Sequence, residues 1–336
     1  MAAFFDSDNH IIMYTSEQIL EKVNRTLSEL PYDRKPQGLY DPVKYVLSLG
    51  GKRIRPVLML MSYNLYRDDV DNILIPAIGL ETYHNYTLLH DDLMDRADVR
   101  RGHPTVHRKW NENAAILSGD SMLVLAYHHI AQCAPELLPQ VMALFTETAL
   151  EIGEGQQYDI EFETRDDVTE AEYIEMIRLK TSVLLACALK LGALLAGAPA
   201  SDADALYDFG ERVGLAFQLQ DDYLDVYGDF KVFGKRIGGD ILCNKKTYML
   251  INAQLLADES QRRELESWLT AVTYDEEEKI AAVTRLYDEI GIPALARQKI
   301  QYYYTLAEES LAKVNLPEER KALLWQYAQT MLNRKN

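Results

Sequence analysis

The sequence predicts an all-α protein. Apolar residues recur at three- and four-residue spacing through long runs, and capping residues punctuate those runs. Strand signals are nearly absent: there are few alternating β-branched stretches and no Asn-Gly hairpin turn.

Taken in order, Thr15 followed by Gln18 forms a capping box that opens a helix ending before Pro31. Asp41-Pro42 reads as an N-cap with proline in the first turn, and Gly50-Gly51 closes that helix. Lys52 to Pro56 leads into a helix from Val57 to Tyr66. Long helical patterns follow at 72–95, 112–132, 136–158, 170–197, 202–227 and 245–257, with Thr169 and Glu172 as a second capping box. The hydrophilic stretch Glu161 to Asp167 reads as a loop. The tail, 258–336, keeps helical period, and Tyr302, Tyr303, Tyr304 and Trp325 are expected to dock on the body. No Ser/Gly-rich linker divides the chain and no repeat of 20–50 residues is present, so one domain over 1–336 is expected.

With 48% hydrophobic and 26% charged residues, the composition is that of a globular protein. A formal charge of −17 argues against nucleic acid or an anionic membrane surface as partner. Cys133, Cys187 and Cys243 lack metal or disulfide spacing, and a reducing cytoplasm is the expected compartment. The N-terminus has two early aspartates and no basic segment, unlike a signal peptide. Val183 to Ala198, the longest apolar run, contains Lys190 and is short for a span, so no membrane span is expected.

Chemistry concentrates in Leu88–Gly102, LLHDDLMDRADVRRG. On a helix, Asp91 and Asp95 stack one turn apart with Asp92 beside them, a repulsive arrangement that calls for a cation. Carboxylates so spaced suit Mg2+ that also bridges substrate phosphates. A single such triplet is ordinarily a solvated face. Here residues 218–225, QLQDDYLD, repeat the Leu-x-Asp-Asp-x-x-Asp pattern inside another apolar run. Two such helix faces, opposed in a bundle, would clamp one diphosphate. Gly50-Gly51-Lys52-Arg53-Ile54-Arg55-Pro56 fails the P-loop frame, since Val46 stands at the first glycine and Arg53 follows the lysine. It still gathers cations beside a glycine turn, which suits a second anion.

These motifs, GGKRIRP, HDDLMDRADVRRG and FQLQDDYLD followed by GKRIGGDILCNKK, resemble the trans-isoprenyl diphosphate synthases (polyprenyl synthetases) from about Asp41 to Lys246. The resemblance implies the isoprenoid synthase fold: a large helical bundle around an Asp-lined cavity. It also implies a homodimer and Mg2+-dependent, head-to-tail condensation of isopentenyl diphosphate with an allylic diphosphate. By the same resemblance Asp91, Asp95 and Asp221 are Mg2+ ligands, supported by Asp92, Asp222, Asp225 and Asp240, with three ions per site. Arg100, Lys180, Lys235 and Lys245 would hold the allylic diphosphate, and Gly51, Lys52, Arg55, His84 and Arg101 the isopentenyl diphosphate. Thr181 and Gln218 fall where the family points neutral dipoles at an allylic cation. Arg236 stands where many relatives carry proline.

Leu88, Leu89, Phe217 and Leu219 are candidate apolar lining, needed because water would quench the cation. Asp98 reads as solvated or capping. Helical rise places Thr87, Tyr86 and Tyr83 roughly 6, 8 and 12 Å below Asp91, depths at which a bulky side chain would stop a growing tail. A C15–C20 product, farnesyl or geranylgeranyl diphosphate, is expected. Two competing readings are a class I terpene cyclase and a non-catalytic subunit of a heteromeric prenyl synthase. The intact second aspartate triplet argues against both.

Overall fold

The structure is a computed structural model that describes residues 11–228 and 237–332. Lys235 and Arg236 therefore lie outside the described residues. Two compact units emerge: Met1–Thr146 with Cys187–Leu206 and Asn315–Leu324, and Glu147–Ala186 with Tyr207–Val314 and Trp325–Asn336.

In the first unit, α1 (Ser16–Ser28) starts at the expected Thr15–Gln18 capping box. The next helix, α2 (Gln37–Ser48), begins earlier than Asp41-Pro42 suggested, because Pro36 takes the N-cap and Pro42 lies inside. Proline there forfeits one bond, to the carbonyl of Gly38. Gly38 is exposed, so water can satisfy that carbonyl. α3 (Ile54–Asn64) is buried on every side from Pro56 to Asn64, as a mostly apolar helix must be, and its buried Ser62 and Asn64 are hydrogen-bonded to backbone carbonyls. Against it lies α4 (Leu74–Met94), whose last turn carries Asp91 and Asp92 and whose C-cap is Asp95. A two-residue ladder, β1 (Val99–Arg100) with β2 (His103–Pro104), follows. Its turn residues Arg101 and Gly102 have φ of 53° and 78°, the left-handed pair of a tight hairpin. After the short α5 (Val106–Lys109), α6 (Glu112–Ile130) packs along α4. Val43, Leu47, Leu89, Val106 and Met122 form the core beneath them.

Long helices continue: α7 (Leu138–Thr164), α8 (Glu170–Ile177), a π-turn (Arg178–Ser182), α9 (Val183–Ala196) and α10 (Ala200–Tyr227). α7 runs through Glu161–Thr164, which the sequence reading assigned to a loop. Gln157 donates to Glu161 across one turn at 2.9 Å, and Phe162 is buried, which together hold that last turn helical. Because α8, the π-turn and α9 run on without a break, Glu170–Ala196 is long and apolar enough to cross a membrane, contrary to the expected shortness. Its most apolar stretch is 67% buried inside the protein, as in a core helix.

In the second unit, α11 (Gly239–Leu242), α12 (Tyr248–Leu256), α13 (Glu259–Leu269), α14 (Glu276–Ile290) and α15 (Ile292–Ala312) follow, and the last described element is α16 (Glu318–Leu332). Their core joins Tyr173, Leu219, Met249, Leu286 and Ile292. Trp325 docks with its ring 5.0 Å from Tyr304 and 6.3 Å from Phe209. Tyr302 does not dock and is 54% exposed. The three cysteines are free.

Candidate active site

In the first unit the carboxylates end α4. Asp92 is buried, and Arg100 on the hairpin grips it with Nε at 2.9 Å and Nη2 at 2.6 Å. Burial pushes the Asp92 carboxyl up, and the Arg100 guanidinium opposes this. Arg100 also lies 3.8 Å from Asp91, while Asp95 is exposed at the helix end. Arg100, expected on a diphosphate, is in the structure the cation that lets these like charges share one turn. Asp98 pairs with Arg108 at 2.6 Å on the surface.

Next to this pair lies a second group of cations. Gly51 has φ of 130°, and a Cβ there would meet the Arg101 guanidinium carbon at 2.9 Å, so only glycine lets Arg101 lie against the loop. Arg101 Nη1 donates to the Gly50 carbonyl. His84 is held well below the ordinary imidazole range, by burial first and then by the Arg55, Arg101, Arg100 and Arg53 guanidiniums. Burial pushes Arg55 down to about 10, opposed by Glu81 and aided by Arg101, and it stays a cation at neutral pH. Leu88, Leu89, Asn85, Asp92, Arg100 and Arg101 line a narrow cleft here. Arg53 is different from its neighbours. It turns inward to Glu81 and the Leu47 carbonyl, both at 2.6 Å.

Tyr83, Tyr86 and Thr87 share α4 with the aspartates. Tyr83 is buried, its ring 5.5 Å from Tyr86 and 5.2 Å from Phe145. Tyr86 is half-buried, with its ring 4.9 Å from His90. The Thr87 hydroxyl bonds back to the His84 carbonyl at 2.8 Å.

In the second unit the Asp221–Asp225 face of α10 is braced by neighbours. Asp222 is buried; Tyr173 on α8 donates to one of its oxygens and Gln218 Nε2 donates to the other at 3.1 Å. Burial and then Asp240 push the Asp222 carboxyl up, against the pull of Lys245, Tyr173 and Gln218. Asp225 accepts the backbone N–H of Asp240 at 2.9 Å, and its own carbonyl accepts the N–H of Gly238 at 2.6 Å. Asp225 thereby fixes the Gly238–Gly239–Asp240 turn. Thr181 donates to Gln218 Oε1 at 3.3 Å, and Lys180 Nζ lies 2.5 Å from Asp159 Oδ2. Both come from the π-turn, an irregularity that favours functional positions. Gly155 admits it: a Cβ there would fall 2.3 Å from the Lys180 nitrogen. Leu219 is plain core and Phe217 is half-buried.

Sequence reasoning passed over Glu81, Asn85, Asp159 and Tyr173. Each is a polar residue at a core-facing position of its helix, and that periodicity was the available signal. Among the described residues, no three His, Cys, Asp or Glu side chains gather closely enough to hold an ion unaided. Mg2+ needs no such cage, because one or two carboxylates suffice when phosphate oxygens and water complete its shell. Asp91 with Asp95, and Asp221 with Asp225, are the carboxylate pairs that the sequence pattern offers for such a role.

The polyprenyl synthetase family profile matches residues 36–288. A geranylgeranyl diphosphate synthase of Methanosarcina mazei is 42% identical over 233 residues, covering 69% of this chain and 72% of that protein. A solved geranylgeranyl pyrophosphate synthase superposes with a TM-score of 0.91 at 41% identity, covering 96% of this chain and all of the other. Another, from Corynebacterium glutamicum and solved with isoprenyl diphosphate and magnesium, gives a TM-score of 0.83 at 28% identity, covering 95% and 98%. With the fold, both aspartate motifs and these matches in agreement, the chain belongs to the polyprenyl synthetase family and is a trans-prenyltransferase.

Proposed function

We propose that this enzyme condenses isopentenyl diphosphate head-to-tail with dimethylallyl, geranyl or farnesyl diphosphate to give a C15–C20 trans-prenyl diphosphate. One observation carries the reading. A second cluster of cations, Arg55 and Arg101 around His84, is gathered beside the Asp92–Arg100 pair of the same unit. A terpene cyclase takes one diphosphate and has no use for a second anion site; a condensing enzyme needs both.

In this reading Gly51, Lys52, Arg55, His84 and Arg101 bind isopentenyl diphosphate. Neutral His84 can accept or donate a hydrogen bond to it. Arg100, Lys180, Lys235 and Lys245 bind the allylic diphosphate. The carboxylates of both motifs, Asp91, Asp95 and Asp221 with Asp92, Asp222, Asp225 and Asp240 behind them, would hold Mg2+, three ions per site. Mg2+ there would supply Lewis-acid neutralisation of the departing diphosphate. Lys180, fixed by Asp159, adds positive charge to that leaving group. Thr181 and Gln218 turn oxygen dipoles toward the allylic cation, and Asp222 holds the Gln218 amide in that orientation. The isopentenyl double bond attacks, and the proton it releases passes to the freed diphosphate. Magnesium and isoprenyl diphosphate on the Corynebacterium glutamicum relative support this assignment.

The family match spans parts of both units, which supports a single catalytic domain over 1–336. A homodimer is part of the proposal, and the exposed Ile116, Leu117 and Val124 on α6 support it. So is a cytoplasmic location. The test is turnover of labelled isopentenyl diphosphate with each allylic primer and Mg2+, with products dephosphorylated and sized by chromatography. Consumption of an allylic diphosphate without isopentenyl diphosphate would indicate a cyclase. Absence of turnover with every primer would indicate a subunit.

A further inference from the structure

We propose that Arg53 and Glu81 form a buried positioning pair that sets the geometry and charge of the isopentenyl diphosphate site. The proposal rests on the reading of Arg55, His84 and Arg101 as that site. Arg53 belongs to the same basic run as Lys52 and Arg55, yet it is only 4% exposed. Its backbone is left-handed, φ 48° and ψ 38°, and this throws its side chain away from theirs. Nη2 donates to the Leu47 carbonyl at the end of α2, and Nη1 donates to Glu81 Oε1 on α4, each at 2.6 Å. A guanidinium so engaged does not reach a ligand.

Glu81 is 1% exposed. Its Oε1 also accepts Asn85 Nδ2 at 2.8 Å. Asn85 Oδ1 faces Arg101 Nη1 at 3.5 Å, and Arg101 Nη1 returns to the Gly50 carbonyl. The contacts therefore run from Leu47 through Arg53, Glu81, Asn85 and Arg101 back to Gly50, closing a ring through the glycine turn. Glu81 also bears electrostatically on both Arg55 and Arg101. A second observation marks the site as incomplete by itself: Arg53 Nε, Arg55 Nε and Glu81 Oε2 are buried without a hydrogen-bond partner. Buried polar atoms are ordinarily satisfied, and exceptions call for a role. One buried carboxylate thus offsets part of a cationic cluster and leaves the remainder for an anion.

A pair that served only stability would be replaceable by apolar residues of similar size, often without loss. A positioning pair would not be. Steady-state kinetics of the full chain with both substrates separates the two. Arg53→Met should raise KM for isopentenyl diphosphate about ten-fold or more while KM for the allylic diphosphate moves less than about two-fold. Arg53→Lys, which keeps the charge and one of the two bonds, should fall between. The double variant Arg53→Met with Glu81→Leu should recover the thermal midpoint and keep the raised isopentenyl diphosphate KM. Recovery of that KM in the double variant, or an equal rise in both KM values, would overturn the proposal. If Arg53→Met does not fold, the double variant decides alone. Absence of condensation by the unaltered enzyme would strike the reading beneath the proposal, and it would be seen before any substitution is made.

Discussion

Lys180 Nζ lies 2.5 Å from Asp159 Oδ2, joining the π-turn to α7. Burial alone would raise the Asp159 carboxyl, but Lys245 and Lys180 hold it below its ordinary value, so it is an anion between two lysines. Asp159→Asn should lower kcat/KM for the allylic substrate by about 10- to 100-fold, the range for a lost charged hydrogen bond. KM for isopentenyl diphosphate should change little. Equal effects on both substrates would mean that Asp159 supports the fold only.

If the two carboxylate faces hold Mg2+ as proposed, turnover should depend on the metal. Asp91→Ala or Asp221→Ala should each lower kcat by at least ~100-fold, the scale of one preorganised electrostatic element. EDTA should abolish turnover and leave the helical circular dichroism intact. Full activity in EDTA would remove the metal from the account.

The two anion sites should separate kinetically. Lys52→Ala or Arg55→Ala should weaken isopentenyl diphosphate by about 1.5–3 kcal/mol, the worth of a charged hydrogen bond, with the allylic KM nearly unchanged. Isothermal titration with the unreactive saturated analogue of isopentenyl diphosphate reads this directly.

Product length should answer to the aromatic residues of α4. Tyr86 is half-buried against Tyr83, and Tyr83 in turn packs on Phe145. Tyr86→Ala should lengthen the product, and Tyr83→Ala added to it should lengthen it further. An isoprene unit of about 5 Å matches one helical turn, so each removal opens room for roughly one unit. An unchanged product from the double variant would rule this floor out.

Acid stability should report on His129. Its Nε2 lies 2.9 Å from the Tyr32 hydroxyl, and burial, then His128, pushes the imidazole down to about 4. A depressed histidine is neutral in the fold, while the unfolded chain protonates first as pH falls below about 6.5. This group therefore subtracts stability between about pH 6.5 and 4 and contributes no further slope below. His129→Gln, which keeps a hydrogen-bonding side chain without titrating there, should flatten the fall of Tm across that window. An equally steep fall would exonerate His129.

Periodicity revealed the helices because each must bury an apolar stripe, and Thr15, Thr169 and Gly50 marked their ends. Pro42 misled, since an exposed carbonyl at Gly38 lets proline sit inside a helix. Arg101-Gly102 hid the hairpin, because arginine is an unusual occupant of a left-handed turn position. The aspartates and basic runs were legible because charge inside apolar patterns is costly unless used. Glu81 and Asp159 were not, because one buried carboxylate with its cation elsewhere in sequence leaves no local pattern.

The π-turn at Arg178–Ser182 has a consequence for helix phase. A regular helix advances about 100° per residue, so one accommodated extra residue rotates everything after it by that angle. Deleting any residue of this turn would restore regular hydrogen bonding and swing the buried side chains of Val183–Leu191 about 100° away from the neighbours each packs on. The irregular turn is thus a phase shifter: it presents Lys180 and Thr181 on one side of the rod and still returns α9 to its own packing face.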